Sequence, residues 1–184
     1  VVDKPMEAQM EKEYMKGGEF LIADQTTAEV FTPEDFTDEH RMIGDTCREY
    51  IDNEVVPNLP RLEAHEWDVA RDLVKKAGEL GLLGANIPEE FGGMALDQTS
   101  GCIIAEMVGR GSGFGSTYGA QTSIGLLPIL YWGSDELKKE WIPKIISGEV
   151  VSAYCLTESG SGSDALGAKC VAKLSGDGQH YILN

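Results

Sequence analysis

At Val150 the chain changes its hydrophobic period, and few folds accommodate that change. Between residues 32 and 149, apolar residues recur at three- and four-residue spacings. Beyond that, short apolar runs are separated by Gly- and Ser-rich stretches. A 3.6-residue period buries one stripe of a helix, whereas a two-residue period buries one face of a strand. The pattern predicts a mainly α chain: an all-α domain over residues 32–149, followed by the first strands of an incomplete β-barrel-like domain over 150–184. The helical part, about 115 residues, has an ordinary domain size. Residues 1–31 are polar and irregular and read as an N-terminal extension, in which Gly17-Gly18-Glu19-Phe20-Leu21-Ile22 is expected to form a short anchored segment.

The helices are expected from their stop and start signals. Thr32 is placed as an N-cap with Pro33 at the first helical position, acids in the first turn, and Phe36, Ile43, Cys47 and Tyr50 on one face. This helix should end before Pro57. A second helix over 67–80 carries Val69, Leu73, Ala77 and Leu80 inward and stops at Gly81. Asp97 caps a third with Ile103, Ile104, Met107 and Val108 inward, and 109–115 is a Gly-rich break. Residues 116–132 form a fourth segment, with Pro128 marking a kink or boundary. Ser134 caps a fifth, in which Leu137, Trp141 and Ile145 share a face. Strands are expected at 150–156, 169–174 and 180–183, the last two joined by the turn Ser175-Gly176-Asp177-Gly178. Two or three short strands are marginal alone, so the sheet reads as cut at Asn184. Five apolar stripes can still bury one another, so the helical part should fold without further domains.

Composition excludes several functions. The formal net charge is -16, and nucleic-acid binding needs a concentrated basic surface. An anionic ligand would need local donors to overcome the same field. No apolar run approaches the roughly 20 residues that span a bilayer. The opening residues Val1-Val2-Asp3-Lys4-Pro5 lack the basic start and apolar core of a signal peptide, so a cytoplasmic location is expected. Cys47, Cys102, Cys155 and Cys170 have no C-x-x-C spacing and read as reduced, mostly buried small hydrophobes. The three histidines, His40, His65 and His180, are far apart and show no metal-ligand spacing.

The densest chemical signal is Tyr154-Cys155-Leu156-Thr157-Glu158-Ser159-Gly160-Ser161-Gly162-Ser163-Asp164. An apolar run leads into a loop of small and hydroxylated residues. Gly and Ser let backbone N–H groups approach a ligand closely, and Thr157, Ser161 and Ser163 add hydroxyl donors. A plain Gly/Ser connection is the competing reading. The run resembles the flavin-lining signature of the acyl-CoA dehydrogenase family, with Ser159 standing where Pro is common. Leu80-Gly81-Leu82-Leu83-Gly84, Ile87-Pro88-Glu89-Glu90-Phe91-Gly92-Gly93 and Ile142-Pro143-Lys144-Ile145-Ile146-Ser147-Gly148-Glu149 resemble further family segments. Gly119-Ala120-Gln121-Thr122-Ser123-Ile124-Gly125 looks similar to the very-long-chain branch.

The resemblance implies FAD as cofactor, an acyl-CoA thioester as substrate, an electron-transfer flavoprotein as redox partner and a homo-oligomeric whole protein. It implies the flavin-dependent reaction of fatty-acid β-oxidation: a carboxylate removes the α-proton, a hydride leaves the β-carbon for the flavin, and a trans-2-enoyl-CoA results. Tyr154 and Leu156 would lie beside the isoalloxazine, Thr157 near its N5 edge, and Gly162 and Ser163 at the pyrophosphate. Glu158 is a tempting general base, but the family's base lies in a C-terminal helical domain. No residue in this chain matches that base, so the chain alone is expected to be inactive. Small residues at Ser116, Gly119 and Ala120 are expected to leave the acyl pocket deep, which favours medium to long chains, since each buried methylene contributes about 0.8 kcal/mol. Close helix packing explains the same small residues equally well. An acyl-CoA oxidase or another flavoenzyme of this fold is the nearest rival, and a non-catalytic helical interaction domain is the rival from another class. Oxygen reactivity of the reduced flavin separates the first, and flavin absorbance of the whole protein the second.

Overall fold

The computed structural model describes residues 14–24 and 30–184. Readings of residues 1–13 and 25–29, including the absence of a leader, lie outside the described residues. Seven α-helices, linked by 3-10 turns, precede one antiparallel ribbon: α1 Asp38–Tyr50, α2 Leu59–Glu63, α3 Trp67–Glu79, α4 Gln98–Val108, α5 Gly113–Thr122, α6 Leu127–Trp132, α7 Asp135–Ile146, β1 Ala172–Leu174 and β2 Tyr181–Leu183.

The first helix begins later than the cap at Thr32 predicts. Thr32 and Asp35 form a capping box, but around a single 3-10 turn, Pro33–Asp35. Phe36 leaves it with ψ 130, outside the helical region. Thr37 then starts α1 as a second cap: its hydroxyl accepts the His40 N–H at 3.1 Å, and Asp38 and Glu39 sit in the first turn. Phe36 therefore lies outside α1, while Ile43, Cys47 and Tyr50 face inward as expected. Past Tyr50 the helix widens into a π turn, Ile51–Val55, and tightens at Val56–Asn58. Pro57 has no N–H to offer the regular ladder there, which accounts for its end. The short helix α2, with Pro60 in its first turn, has no counterpart in the sequence reading.

Helix α3 buries Val69, Leu73, Val74 and Ala77, but Leu80 falls past its end, 39% exposed. Gly81 follows at φ 75, a left-handed stop that glycine adopts freely. The predicted 116–132 segment divides in two. Helix α5 already starts at Gly113 and ends at Thr122; Thr122 and Ser123 hydroxyls donate back to the Tyr118 and Gly119 carbonyls. Such local bonds compete with helix continuation. Pro128 then occupies the first turn of α6, where a missing N–H costs nothing. In α7 the Ser134 cap holds, but the buried face is Ile142, Ile145 and Ile146; Leu137 is 47% exposed and Trp141 only half-buried.

Two apolar clusters make the core. The larger joins α1, α3, α4 and α5 through Ile51, Val55, Val74, Leu82, Ile104 and Phe114. The smaller gathers Ile87, Leu126, Ile142, Ile145 and Ile146. Helix α3 and the turn after α7 touch backbone to backbone: a Cβ on Gly78 would collide with the Ser147 carbonyl, and one on Gly148 would lie 2.6 Å from the Lys75 Cα. Buried tyrosines are satisfied, Tyr50 donating to the Leu73 carbonyl at 2.7 Å and Tyr118 to that of Leu82 at 2.6 Å.

Several expectations do not hold. Residues 150–156 form no ladder with any described residue, because the strand that would pair with them is not among these elements. The ribbon pairs β1 and β2, with Lys173 opposite Ile182, and is exposed on both faces. Leu21 and Ile22 stand out in solvent, 74% and 90% exposed, so they do not anchor the N-terminal segment. Only Cys47 is buried, its thiol pushed up to about 11 by desolvation; Cys102, Cys155 and Cys170 are exposed, sitting on the outer face of α4 and in the open C-terminal part. Among the described residues no helix is long and apolar enough to cross a membrane, and no group of His, Cys, Asp and Glu could hold a metal ion.

Asp97 ties the first and fourth helices together. Its Oδ1 accepts from the Ser100 N–H and hydroxyl, both at 2.8 Å, capping α4. Its Oδ2 accepts from His40 Nε2 at 2.9 Å, while His40 Nδ1 accepts the Thr37 N–H. Partial desolvation would raise the Asp97 pKa, but the Ser100 N–H, His40 and the Ser100 hydroxyl outweigh it and hold the carboxyl below its ordinary value. A depressed folded pKa contributes stability above the unfolded value, near about 3.9, that is lost as pH falls through the folded one. Asp97→Ala should cost about 1–2 kcal/mol in urea unfolding at neutral pH. The difference from wild type should shrink on acidification below about pH 4, and Asp97→Asn should recover most of the cap. An Asp97→Ala protein as stable as wild type at neutral pH would remove this link from the account.

Candidate functional site

A cleft of about 730 Å³ opens between α4, α5, α6 and the segment after α3, within the size range of small-ligand sites. Helix propensity and the positions of small residues build its wall. Gly115, Ser116 and Gly119 recur along one side of α5 and face it, and a Cβ added at Gly119 would meet nothing within 4 Å. Ile104 and Val108 of α4 and Leu127 and Leu130 of α6 give it apolar sides. Tyr118 lines it too, its hydroxyl committed to the Leu82 carbonyl; burial pushes its pKa up, so it stays neutral. Ser116 and Gly119 thus lie in the wall of this cleft. Ala120 does not line the cleft: it sits half-buried on another side of α5, its carbonyl accepting the Gly125 N–H.

The Gly/Ser loop lies outside this cleft. Tyr154 and Leu156 are 52% and 45% exposed, and Thr157, Gly162 and Ser163 are exposed as well. The Thr157 and Ser163 hydroxyls make no hydrogen bond among the described residues, and no backbone bond is made from Tyr154 through Thr157. A Cβ on Gly160 or Gly162 would meet nothing. The result is a run of free donors and acceptors with open approach.

Two carboxyl and hydroxyl contacts give the loop its shape. Glu158 and Ser161 exchange backbone bonds at 3.0 and 3.1 Å, closing a tight turn. Ser161 is buried, its hydroxyl donating to the Asp164 carbonyl at 2.6 Å, so it is not a free donor as its type suggests. The Glu158 carboxylate accepts the N–H groups of Lys169 and Cys170 at 2.8 and 2.9 Å. Those two bonds hold its pKa below the usual carboxylate range. A general base works best with a pKa near the working pH. Glu158 is shifted the other way, with both oxygens occupied, and serves as a clamp across the loop.

The residue that the sequence reading quotes without a role is Gln121. It is fully buried on α5. Its Nε2 donates to the Ile145 and Val150 carbonyls at 2.8 and 2.7 Å, and its Oε1 accepts the Ser152 N–H at 2.7 Å and hydroxyl at 3.1 Å. Its helix neighbours Gly119, Thr122 and Ser123 line the cleft. A single amide thus joins the cleft wall to the base of the 150–158 segment. The signal in the sequence is a lone long amide among Gly, Ala, Thr and Ser, where a surface residue and a buried one look alike.

Residues 37–149 match the family model described as acyl-CoA dehydrogenase, N-terminal domain. A "Probable acyl-CoA dehydrogenase" of Bacillus subtilis is 52% identical over 168 residues, covering 91% of this chain and 28% of that relative. The short-chain specific mitochondrial acyl-CoA dehydrogenase of Rattus norvegicus is 35% identical over 157 residues, 84% of this chain and 37% of that relative. The crystal structure of a Bacillus anthracis acyl-CoA dehydrogenase complexed with FAD superposes with a TM-score of 0.86 at 54% identity, covering 92% of this chain and 29% of that one. The chain therefore spans well under half the length of these relatives. None of their names states a very-long-chain specificity, and the one that states a length is short-chain specific. With the family model matched across more than half of its length, the chain belongs to the acyl-CoA dehydrogenase family.

Proposed function

We propose that this chain is the N-terminal part of an FAD-dependent acyl-CoA dehydrogenase that oxidises medium to long acyl-CoA thioesters to trans-2-enoyl-CoA in fatty-acid β-oxidation. Its helical domain occupies residues 32–149 and its β domain starts at 150. The observation that carries this reading is the mounting of two complementary surfaces on one helix: an apolar cleft on one side of α5, and through Gln121 the open-donor segment 152–163 on another.

The residues present fit a flavin. The Thr157 and Ser163 hydroxyls and the adjoining backbone N–H groups are unspent and exposed, and Gly160 and Gly162 leave room for close approach. Thr157 would donate at the N5 edge, Gly162 and Ser163 at the pyrophosphate, and Tyr154 and Leu156 would flank the ring. Bound FAD supplies the acceptor for a hydride from the β-carbon. The chain's own task is to hold and orient both partners and exclude water; Glu158, its pKa lowered by two N–H donors, is poorly suited to take the α-proton.

The cleft wall favours an acyl tail over a polar ligand. Ser116 and Gly119 keep bulk off it, and Ile104, Val108 and Leu127 offer apolar surface. The anionic coenzyme A end needs cations against a net charge of -16. Lys138 and Lys139 share a depression with Leu130 and Tyr131, which also line the cleft, although Glu90 and Asp135 sit there too. Electron transfer to an electron-transfer flavoprotein and a homo-oligomeric whole protein complete the proposal, on the strength of the family resemblance.

Two expected outcomes test it in the whole protein. Thr157→Val with Ser163→Ala removes two hydrogen bonds of about 1 kcal/mol each and should weaken FAD binding roughly thirtyfold. Titration of the apoprotein with FAD measures this, and an unchanged affinity in a folded protein removes both residues from the site. Gly119→Leu should leave folding intact, because its Cβ enters open space, while activity falls on long acyl-CoA and survives on short. An equal loss at every length would point to overpacking instead.

A further inference from the structure

We propose that Gln121 is a positioning residue: its side-chain amide sets the register of the flavin-facing segment against the acyl cleft. The proposal rests on the reading above and assigns to this reading a residue that does not itself touch either ligand.

The geometry is over-determined at this one point. A glutamine amide has two donors and two acceptor sites, and in Gln121 all are used, at 2.7 to 3.1 Å. The two donors reach different elements, the Ile145 carbonyl of α7 and the Val150 carbonyl beyond it. Both acceptor bonds come from Ser152, whose hydroxyl also lies 3.4 Å from the Gln121 carbonyl. Gly125 completes the seat: any Cβ there would collide with the Ser152 hydroxyl and sit 2.7 Å from its Cβ. Beyond Ser152 no backbone bond fixes the chain until Glu158 closes its turn. Residues 153–157, which carry Tyr154, Leu156 and Thr157, are therefore suspended between the Gln121 anchor and the Glu158 clamp.

That arrangement transmits position. A shift of the anchor moves the whole suspended segment, while the cleft wall on the same helix stays in place, held by Ile104, Phe114 and Tyr118 in the main core. A polar anchor does this better than an apolar contact, because four directional bonds define both the depth and the rotation of the segment. Leaving the Val150 carbonyl and the buried Gln121 amide unpaired is costly, which disfavours alternative registers.

The experiment uses the whole flavoprotein. Gln121→Met keeps length and apolar bulk but none of the four bonds. The expected result is a visible flavin absorbance shifted toward that of free flavin and a kcat lowered about tenfold or more, because displacement by about an ångström at reacting atoms costs that order of rate. KM for long acyl-CoA should stay within about twofold, since the cleft wall is untouched. Ser152→Ala, which removes only the hydroxyl bonds, should change the same quantities in the same direction by less, and carries the test if Gln121→Met does not fold. Flavin absorbance and kcat equal to wild type overturn the proposal. So does a proportionate loss of cleft binding and kcat together, which a merely structural role would produce. If the wild-type protein holds no flavin, the acyl-CoA dehydrogenase reading fails with it. If wild type holds flavin and turns over while both variants match it, the positioning role alone fails.

Discussion

The buried amide of Gln121 is the constraint on which the rest of the arrangement hangs. An unpaired amide inside a core is expensive, and a fully paired one is highly directional. Here the pairing can be completed only if α5, the end of α7 and residues 150–152 come to one place. Other features of the sequence serve that convergence. Gly78 and Gly148 let α3 meet the turn after α7 backbone to backbone, and Gly125 lets Ser152 settle against α5. The Asp97–His40 pair does comparable work at the far end of α4, locking the start of α1 to the cap of α4.

Around these fixed points the molecule separates a packed part from an open one. The helices bury two continuous apolar clusters, and among the described residues no buried side-chain nitrogen or oxygen is left without a partner. The residues after Ser152 are different. Their large side chains, Tyr154, Leu156, Tyr181 and Leu183 among them, are exposed. The chain makes up less than two-fifths of the length of the relatives it matches. In the proposed function the two parts divide the labour: the helical part contains the acyl tail, and the open part meets the flavin.

Much of this was legible in the sequence wherever a single local rule decided the outcome. Caps at Asp97 and Ser134, the left-handed stop at Gly81 and the inward stripe of Val69, Leu73 and Ala77 follow from side-chain chemistry within one turn. What was not legible depended on competition or on distant partners. Thr32 and Thr37 are both good caps, and only Phe36 leaving the helical region favours the second. Residues 150–156 read as a strand by composition, but a strand needs a neighbour, and composition cannot supply one. Gln121 could not be recognised as buried because the three residues it bonds lie 24 to 31 residues away. The same distance hides the Glu158 clamp on Lys169 and Cys170.

The most direct test of the central claim is anaerobic mixing of the whole flavoprotein with acyl-CoA thioesters of increasing chain length, followed by flavin absorbance and product analysis. The account predicts bleaching of the bound flavin with one trans-2-enoyl-CoA formed per flavin reduced, fastest for medium to long chains. A protein that carries flavin but is bleached by no acyl-CoA, or only by the shortest, would contradict it.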